Sequence, residues 1–153
     1  MKNGAEVTAI TDITLVTLHH CPTEIGYLSE LLEKIAALGV NIDMISLAPA
    51  QGALSGLSFT ISDDDLGKIL SFTASLRETS GIRPTVSSGN IKVTVSDERM
   101  RNTPGIAAKV FRAAASVQAD LRLISTSDTE IALLVTPPDY PGVLEALERA
   151  AGC

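Results

Sequence analysis

The sequence predicts an α+β protein in which one βαββαβ module occurs twice, and three observations carry that expectation. Apolar residues recur in alternating blocks at strand period and at helix period. The order of blocks in the first half returns in the second. The halves also align at an offset of 79 through the first helix and the following strand, so that Gly26 falls on Gly105, Leu32 on Phe111, Ala36 on Ala115 and Asn41 on Asp120. Farther on the offset drops to 74, with 58–62 falling on 132–136, because the first half has a hairpin tip five residues longer. A register change with so simple a cause argues for duplication.

Each element follows from local chemistry. Residues 7–10 and 13–18 read as two β-prone runs separated by the polar step Thr11-Asp12. Thr23 then caps a helix whose apolar positions Leu28, Leu31, Leu32, Ile35 and Leu38 recur at helical spacing, and Gly39 suits its C′ position. Residues 40–47 and 54–62 read as a hairpin with a generous tip. The run Asp63-Asp64-Asp65 offers capping carboxylates to a helix carrying Leu66, Ile69, Leu70, Phe72 and Leu76. Residues 82–87 form a weaker strand, confined by Pro84 to an edge or a bulge. After the turn Ser88-Gly89-Asn90 the order restarts: a strand at 91–95, a polar loop, and a helix with Pro104 in its first turn and Ile106, Val110, Phe111 and Ala114 on one face. Strands at 121–127 and 130–136 and a last helix with Val143, Leu144 and Leu147 follow.

The order β-α-β-β-α-β is the split βαβ arrangement of a ferredoxin-like sheet with two helices on one face. The first copy is complete, whereas the second ends on a helix and lacks a strand. The strand at 7–10 has no role in the first copy. The economical expectation is therefore a first module at 12–88 and a second built from 6–11 plus 89–153, the N-terminal strand completing the second sheet.

Bulk composition narrows the function. The 153 residues carry a formal net charge of −6, which argues against a nucleic-acid partner that would draw its affinity from clustered Lys and Arg. Aromatic residues make up 3% and Trp is absent, so no base-stacking platform is available and the core must be aliphatic. No apolar run is long enough to span a bilayer and no signal peptide is recognisable, which places the expectation in the cytoplasm with no membrane partner. Cys21 and Cys153 are too few for a disulfide framework and read as free thiols.

Two stretches carry a resemblance. Asn102-Thr103-Pro104-Gly105-Ile106-Ala107-Ala108-Lys109-Val110-Phe111, followed by Leu123-Ile124-Ser125-Thr126-Ser127, resembles the tandem ACT domains in the regulatory region of aspartokinases, with their P-G-V-A-A-K-x-F and M-I-S-T-S patterns. The first copy offers Gly26 and Asn41-Ile42-Asp43-Met44-Ile45-Ser46, similar to the N-x-D-M-I strand of that family. The likeness spans nearly the whole chain, without the kinase domain that precedes such a region in the family. It implies a non-catalytic, allosteric regulator that binds a small amino acid such as lysine or threonine, with no cofactor. It also implies a stand-alone sensor, or a subunit regulating a separate aspartokinase-type enzyme.

The resemblance further implies a pocket at the start of each module's first helix, where N–H groups suit an α-carboxylate. In the first copy the candidates are Thr23, Glu24, Ile25, Gly26, Asn41, Ile42, Asp43 and Met44. In the second they are Asn102, Thr103, Pro104, Gly105, Ile106 and Asp120, Leu121 and the two residues that follow. The first copy departs from the family in having Thr23-Glu24-Ile25-Gly26 in place of Asp-x-Pro-Gly, and Leu47-Ala48 in place of Gln-Asn.

Simpler readings stand beside several motifs. His19-His20-Cys21 could suggest a metal or a nucleophile, but adjacent residues in an extended loop do not converge on one ion. The three aspartates suit a helix start better than a cation, and Ser125-Thr126-Ser127 has no nearby His to activate it. A ligand-free dimerisation module is the alternative from a different class. The unpaired edges of such small sheets would be covered by a second copy, so a homodimer is expected.

Overall fold

The computed structural model describes residues 4–152. The chain divides into two compact units, a central one of residues 12–88 and a terminal one that joins residues 4–11 to residues 89–152. Two long strands, β1 (Ala5–Pro22) and β4 (Arg83–Asp97), contribute to both.

In the central unit, β1 is followed by α1 (Ile25–Ala37), β2 (Ile45–Leu47), β3 (Leu54–Ser62), α2 (Leu66–Thr79) and the first part of β4, with sheet order β2-β3-β1-β4. The antiparallel register Val16↔Phe59 and Leu18↔Leu57 puts apolar residues opposite one another. These pack with Leu31 and Ile35 of α1, Ile69 and Leu76 of α2, and Ile82 to form a largely aliphatic core around Phe59, with Tyr27 and Phe72 packed at its margin.

The terminal unit continues with the rest of β4, then α3 (Ile106–Ser116), β5 (Leu123–Thr126), β6 (Glu130–Val135) and α4 (Tyr140–Gly152). Its sheet order is β1-β4-β6-β5, so the first residues of β1 lie beside β4. Val93↔Leu133 and Val95↔Ile131 set the register, and Val110, Ala114, Val143 and Leu147 cover that face. The central unit is thus βαββαβ and the terminal one ββαββα in chain order, with its N-terminal strand in the place of the last, and both have the α+β class that the sequence pattern predicts.

Several boundaries differ from those expected. The polar step at Thr11-Asp12 and the turn at Ser88-Gly89-Asn90 do not end strands; β1 and β4 run through them. Asp12, with φ of 60°, and Gly89, with φ of 75°, turn the backbone locally while pairing resumes beyond them. Residues 40–47 form a ladder only at Ile45–Leu47, although Thr60 also ties down the approach: it accepts the Asp43 N–H at 3.0 Å through its carbonyl and the Met44 N–H at 2.9 Å through its hydroxyl. The strand expected at 121–127 is likewise trimmed to Leu123–Thr126.

Thr23 does not cap α1. Its N–H and its hydroxyl both donate to the carbonyl of Ala53, at 3.1 and 3.3 Å, in the long hairpin tip, and Glu24 takes the cap position without a side-chain bond. Pro104 stands before α3 rather than in its first turn, because Gly105 occupies the cap with φ of 94°. The three aspartates form a 3₁₀ turn capped by Ser62, whose hydroxyl accepts the Asp64 N–H at 3.2 Å. Gly39 does close α1 in the left-handed conformation, its N–H donating to Ala36 at 2.9 Å.

Within the terminal unit Ala5 is buried and Val7 packs against the core. Removing residues 1–11 is therefore expected to lower the unfolding free energy of that unit by at least about 2 kcal/mol, from lost apolar burial and strand pairing. Urea unfolding followed by hydrogen exchange of the β6 amides checks this; unchanged protection would show that the strand contributes nothing.

Candidate functional site

The terminal unit builds its site at the end of β4. Strand alternation carries Val93, Val95 and Asp97 to the core face, so a carboxylate follows two valines into a buried position, 3% exposed. A buried carboxylate is costly unless its oxygens are bonded. Arg99 folds back and supplies the partners: its Nε lies 3.0 and 3.2 Å from the two oxygens, its Nη2 2.6 Å from Oδ2, and its backbone N–H donates to Oδ1 at 2.9 Å. The side-chain bonds from Arg99 hold the Asp97 carboxyl below the usual carboxylate range, against the opposing effect of burial. The Asp97 N–H donates to Thr129 at 2.8 Å, fixing the strand end.

The chain then turns through a short 3₁₀ segment, Glu98–Arg101, with Arg101 bonded to both Glu98 and Asp128. The Thr103 N–H donates to Arg99 at 2.9 Å, which swings 103–105 toward the start of α3. A Cβ added to Gly105 would meet nothing within 4 Å, so glycine serves the left-handed backbone here rather than close packing. The result is a cavity of about 310 Å³. Thr103, Pro104, Gly105 and Ile106 line one side with Lys109; Asp97 and Arg99 form another; Ala5, Val95, Val110, Leu147, Ala150 and Ala151 complete the wall.

Four of the residues expected in the second copy therefore meet in one cavity, and the others do not. Asn102 is exposed and outside the lining. The Asp120 N–H donates to Asp139 at 2.9 Å, and its carboxylate lies 3.3 Å from Arg122. Leu121 packs partly buried against the core. Asp97, Arg99, Lys109 and Ala5 line the cavity without having been singled out. The pattern Val93-x-Val95-x-Asp97 was the available signal, since period two places the acid on the apolar face.

The central unit offers something different. Ile25, at 79% exposure, joins Leu28, Leu32, Ile45, Leu47 and Leu57 along an apolar groove of about 730 Å³ between α1 and β2. Gly26 sits inside α1, where a Cβ would meet only the Glu24 carboxylate at 3.5 Å. Asn41 and Asp43 are exposed, Ile42 packs partly against the core and Met44 is buried. None of these four lines the groove, so the expected residues of this copy do not gather in one place.

Cys21 is a buried thiol whose pKa burial raises, which leaves it a poor nucleophile, and Cys153 lies outside the described residues. Among the described residues no three His, Cys, Asp or Glu side chains come together as a fully protein-ligated metal ion would require. No helix among them is long and apolar enough to cross a membrane.

Comparison with known proteins bears on the unit that holds the cavity. The family model described as "ACT domain" matches residues 93–150. Those residues form an ACT domain. The match takes in β4 from Val93, the whole cavity turn and most of α4. The chain is also 29% identical over 142 residues to an aspartokinase of Bacillus sp. (strain MGA3), covering 91% of this chain and 34% of the relative. It thus spans about a third of the length of the curated relatives it matches.

Among solved structures, the aspartate kinase from Synechocystis superposes with a TM-score of 0.88 at 28% identity, over 95% of this chain and 26% of that one. The regulatory subunit of aspartate kinase from Thermus flavus superposes with a TM-score of 0.84 at 23% identity, over 94% of this chain and 95% of that one, a likeness of fold. The ACT resemblance read at Pro104-Gly105-Ile106 is therefore shown by the family match, and the fold is that of an aspartokinase regulatory region.

The Asp97 pair sets a pH dependence. Its folded-state pKa lies below the unfolded value of about 3.9, so its contribution is complete above that value and is lost as pH falls through the folded-state pKa. Asp97→Asn is expected to be less stable than the wild type at neutral pH and to converge with it as the pH falls below about 4. Urea unfolding across that range checks the sign; a stability gap that stays constant would contradict it.

Proposed function

We propose that this chain is a regulatory protein of the aspartokinase type, which binds a small amino acid as a feedback effector and performs no catalysis itself. The observation that carries this reading is the cavity inside the ACT domain. Its Thr103-to-Ile106 edge presents a helix start and its far wall is apolar, the combination that a small polar ligand needs for orientation and burial. The near-complete overlap with an aspartate kinase regulatory subunit supports the same reading. The enzyme regulated would be a separate aspartokinase-type chain or a catalytic region joined to this one.

A thermal-shift panel of the proteinogenic amino acids, lysine and threonine included, tests the proposal on the full chain. A ligand present at a hundred times its dissociation constant adds about 2.7 kcal/mol to stability. Flat melting curves across the panel would sink the effector reading.

The apolar groove of the central unit supports association as a homodimer. β2 is an edge strand of its sheet, and Ile45 and Leu47 stand exposed beside Ile25 of α1. A two-fold contact there would cover both the edge and the groove. Ile45→Asp is expected to weaken such a dimer at least about a hundredfold, because each copy would bury an unpaired carboxylate. Sedimentation equilibrium reads this directly, and an unchanged molar mass for the variant would exclude the groove as the interface.

A further inference from the structure

Two departures from the duplicated plan meet at one place in the central unit. Its β1–β3 pairing skips a residue: Leu18 stands opposite Leu57 and Cys21 opposite Ser55, so three steps along β1 match two along β3. The corresponding ladder of the terminal unit, from Ile91↔Val135 to Ser96↔Glu130, runs without a break. The central unit also has the longer hairpin tip, between β2 and β3, and residues of that tip meet the same stretch of β1.

The extra residue sets two histidines side by side. Leu18 and Cys21 are both fully buried in the core, so His19 and His20, the only histidines of the sequence, both turn to the opposite face. Ordinary alternation would have separated them. His20 holds its place with φ of 60°, a left-handed backbone that side chains other than glycine seldom adopt. The two rings line a cavity of about 320 Å³ with Pro49 and Gln51 of the tip and Ser55 and Gly56 of β3. The tip is tied down there, since the Ala48 N–H donates to the Gly56 carbonyl at 3.0 Å and the Ser55 hydroxyl donates to the Ala48 carbonyl. The Thr85 hydroxyl of β4 lies 3.5 Å from Nε2 of His19, which leaves Nδ1 for a ligand. No acid is among the described residues that line the cavity.

We propose that His19 and His20 form a chelating pair for a late first-row divalent ion, Cu²⁺, Ni²⁺ or Zn²⁺, with the Gln51 amide oxygen and water in the remaining positions. Adjacent residues of an extended loop do not converge on one ion, but adjacent imidazoles on one face of a bulged strand offer two nitrogen donors to the same point. Imidazole selects these ions, whereas Mg²⁺ and Ca²⁺ are held by oxygen, carboxylates above all. No third His, Cys, Asp or Glu joins the pair among the described residues, so the coordination shell stays open and the ion exchangeable. An ion held there links β1 to the tip, whose Ala53 carbonyl accepts both donors of Thr23 in front of α1. The proposal is independent of the amino-acid effector and of the cavity in the terminal unit.

Calorimetric titration of the full, untagged chain with Cu²⁺, Ni²⁺, Zn²⁺ and Mg²⁺ tests this, together with proton spectra of the imidazole rings, to which only two residues contribute. His19→Gln and His20→Asn each remove one donor, asparagine being chosen because it tolerates the left-handed backbone. Cys153→Ser removes a thiol able to bind the same ions, and metal-free melting curves verify folding. The expected result is one ion per chain, Cu²⁺ tightest and Mg²⁺ not bound, with affinity weakened at least about tenfold by either histidine substitution and unchanged by Cys153→Ser. In the wild type, one equivalent of Cu²⁺ is expected to broaden the signals of both rings, a result that decides the matter even if a variant fails to fold. Binding that survives the double variant, binding abolished by Cys153→Ser, broadening of one ring alone, or no binding at all would overturn the site.

Discussion

A β-strand shows alternate residues to opposite faces, and β1 and β4 must each supply two cores from one run of backbone. In β1 the terminal unit buries the odd positions Ala5 and Val7, whereas the central unit buries the even positions Val16 and Leu18. In β4 the even position Val86 packs against the central core, and the odd positions Ile91, Val93 and Val95 fill the terminal one. Each core thus draws on positions of one parity along the shared strand. A left-handed residue lies between the two sets of positions in each strand, Asp12 in β1 and Gly89 in β4. Aspartate and glycine are among the residue types that tolerate such a conformation.

The same alternation accounts for the site. Once Val93 and Val95 face the core, Asp97 must follow them, and the chain accommodates the acid by folding Arg99 back over it. That fold begins the turn that carries Thr103 and Gly105 to the head of α3. The polar end of the cavity thus arises from neutralising a buried charge, and its apolar end is a margin of the core. In the central unit Leu18 pairs with Leu57 where Val95 pairs with Ile131, the buried Cys21 beyond it stands opposite Ser55, and no comparable polar end gathers; the open face there is the apolar groove.

Much of this was legible in the residues. The helix and strand periods gave the α+β class, and Pro104-Gly105-Ile106-Ala107-Ala108-Lys109 carried the ACT resemblance because the left-handed turn leaves few alternatives to glycine at 105. What could not be read locally was decided by tertiary partners. Thr11-Asp12 has the composition of a strand end, yet neighbouring strands continue past it. Thr23 has the chemistry of a cap, but the Ala53 carbonyl in the long hairpin tip takes its donors. Asp97 and Arg99 were visible as a charged pair just beyond a strand, but only the folded turn shows that they are joined. Ala5 reaches the cavity wall from the other end of the chain, through a pairing that no local pattern encodes.

The assignment of residues 5–11 and 89–152 to one unit bears on how that unit folds. Residues 12–88 contain every partner that the central unit needs, so it can form as soon as they are synthesised. The terminal unit must wait for α4, while the start of β1 stays unpaired until β4 follows. Bringing 5–11 to 89–97 across an unfolded intervening chain would carry the entropy of closing a long loop. Once the central unit has formed, β1 and β4 are already neighbours within it, and that loop is closed in advance. The later contacts then become short-range in effect, although their separation in sequence is large.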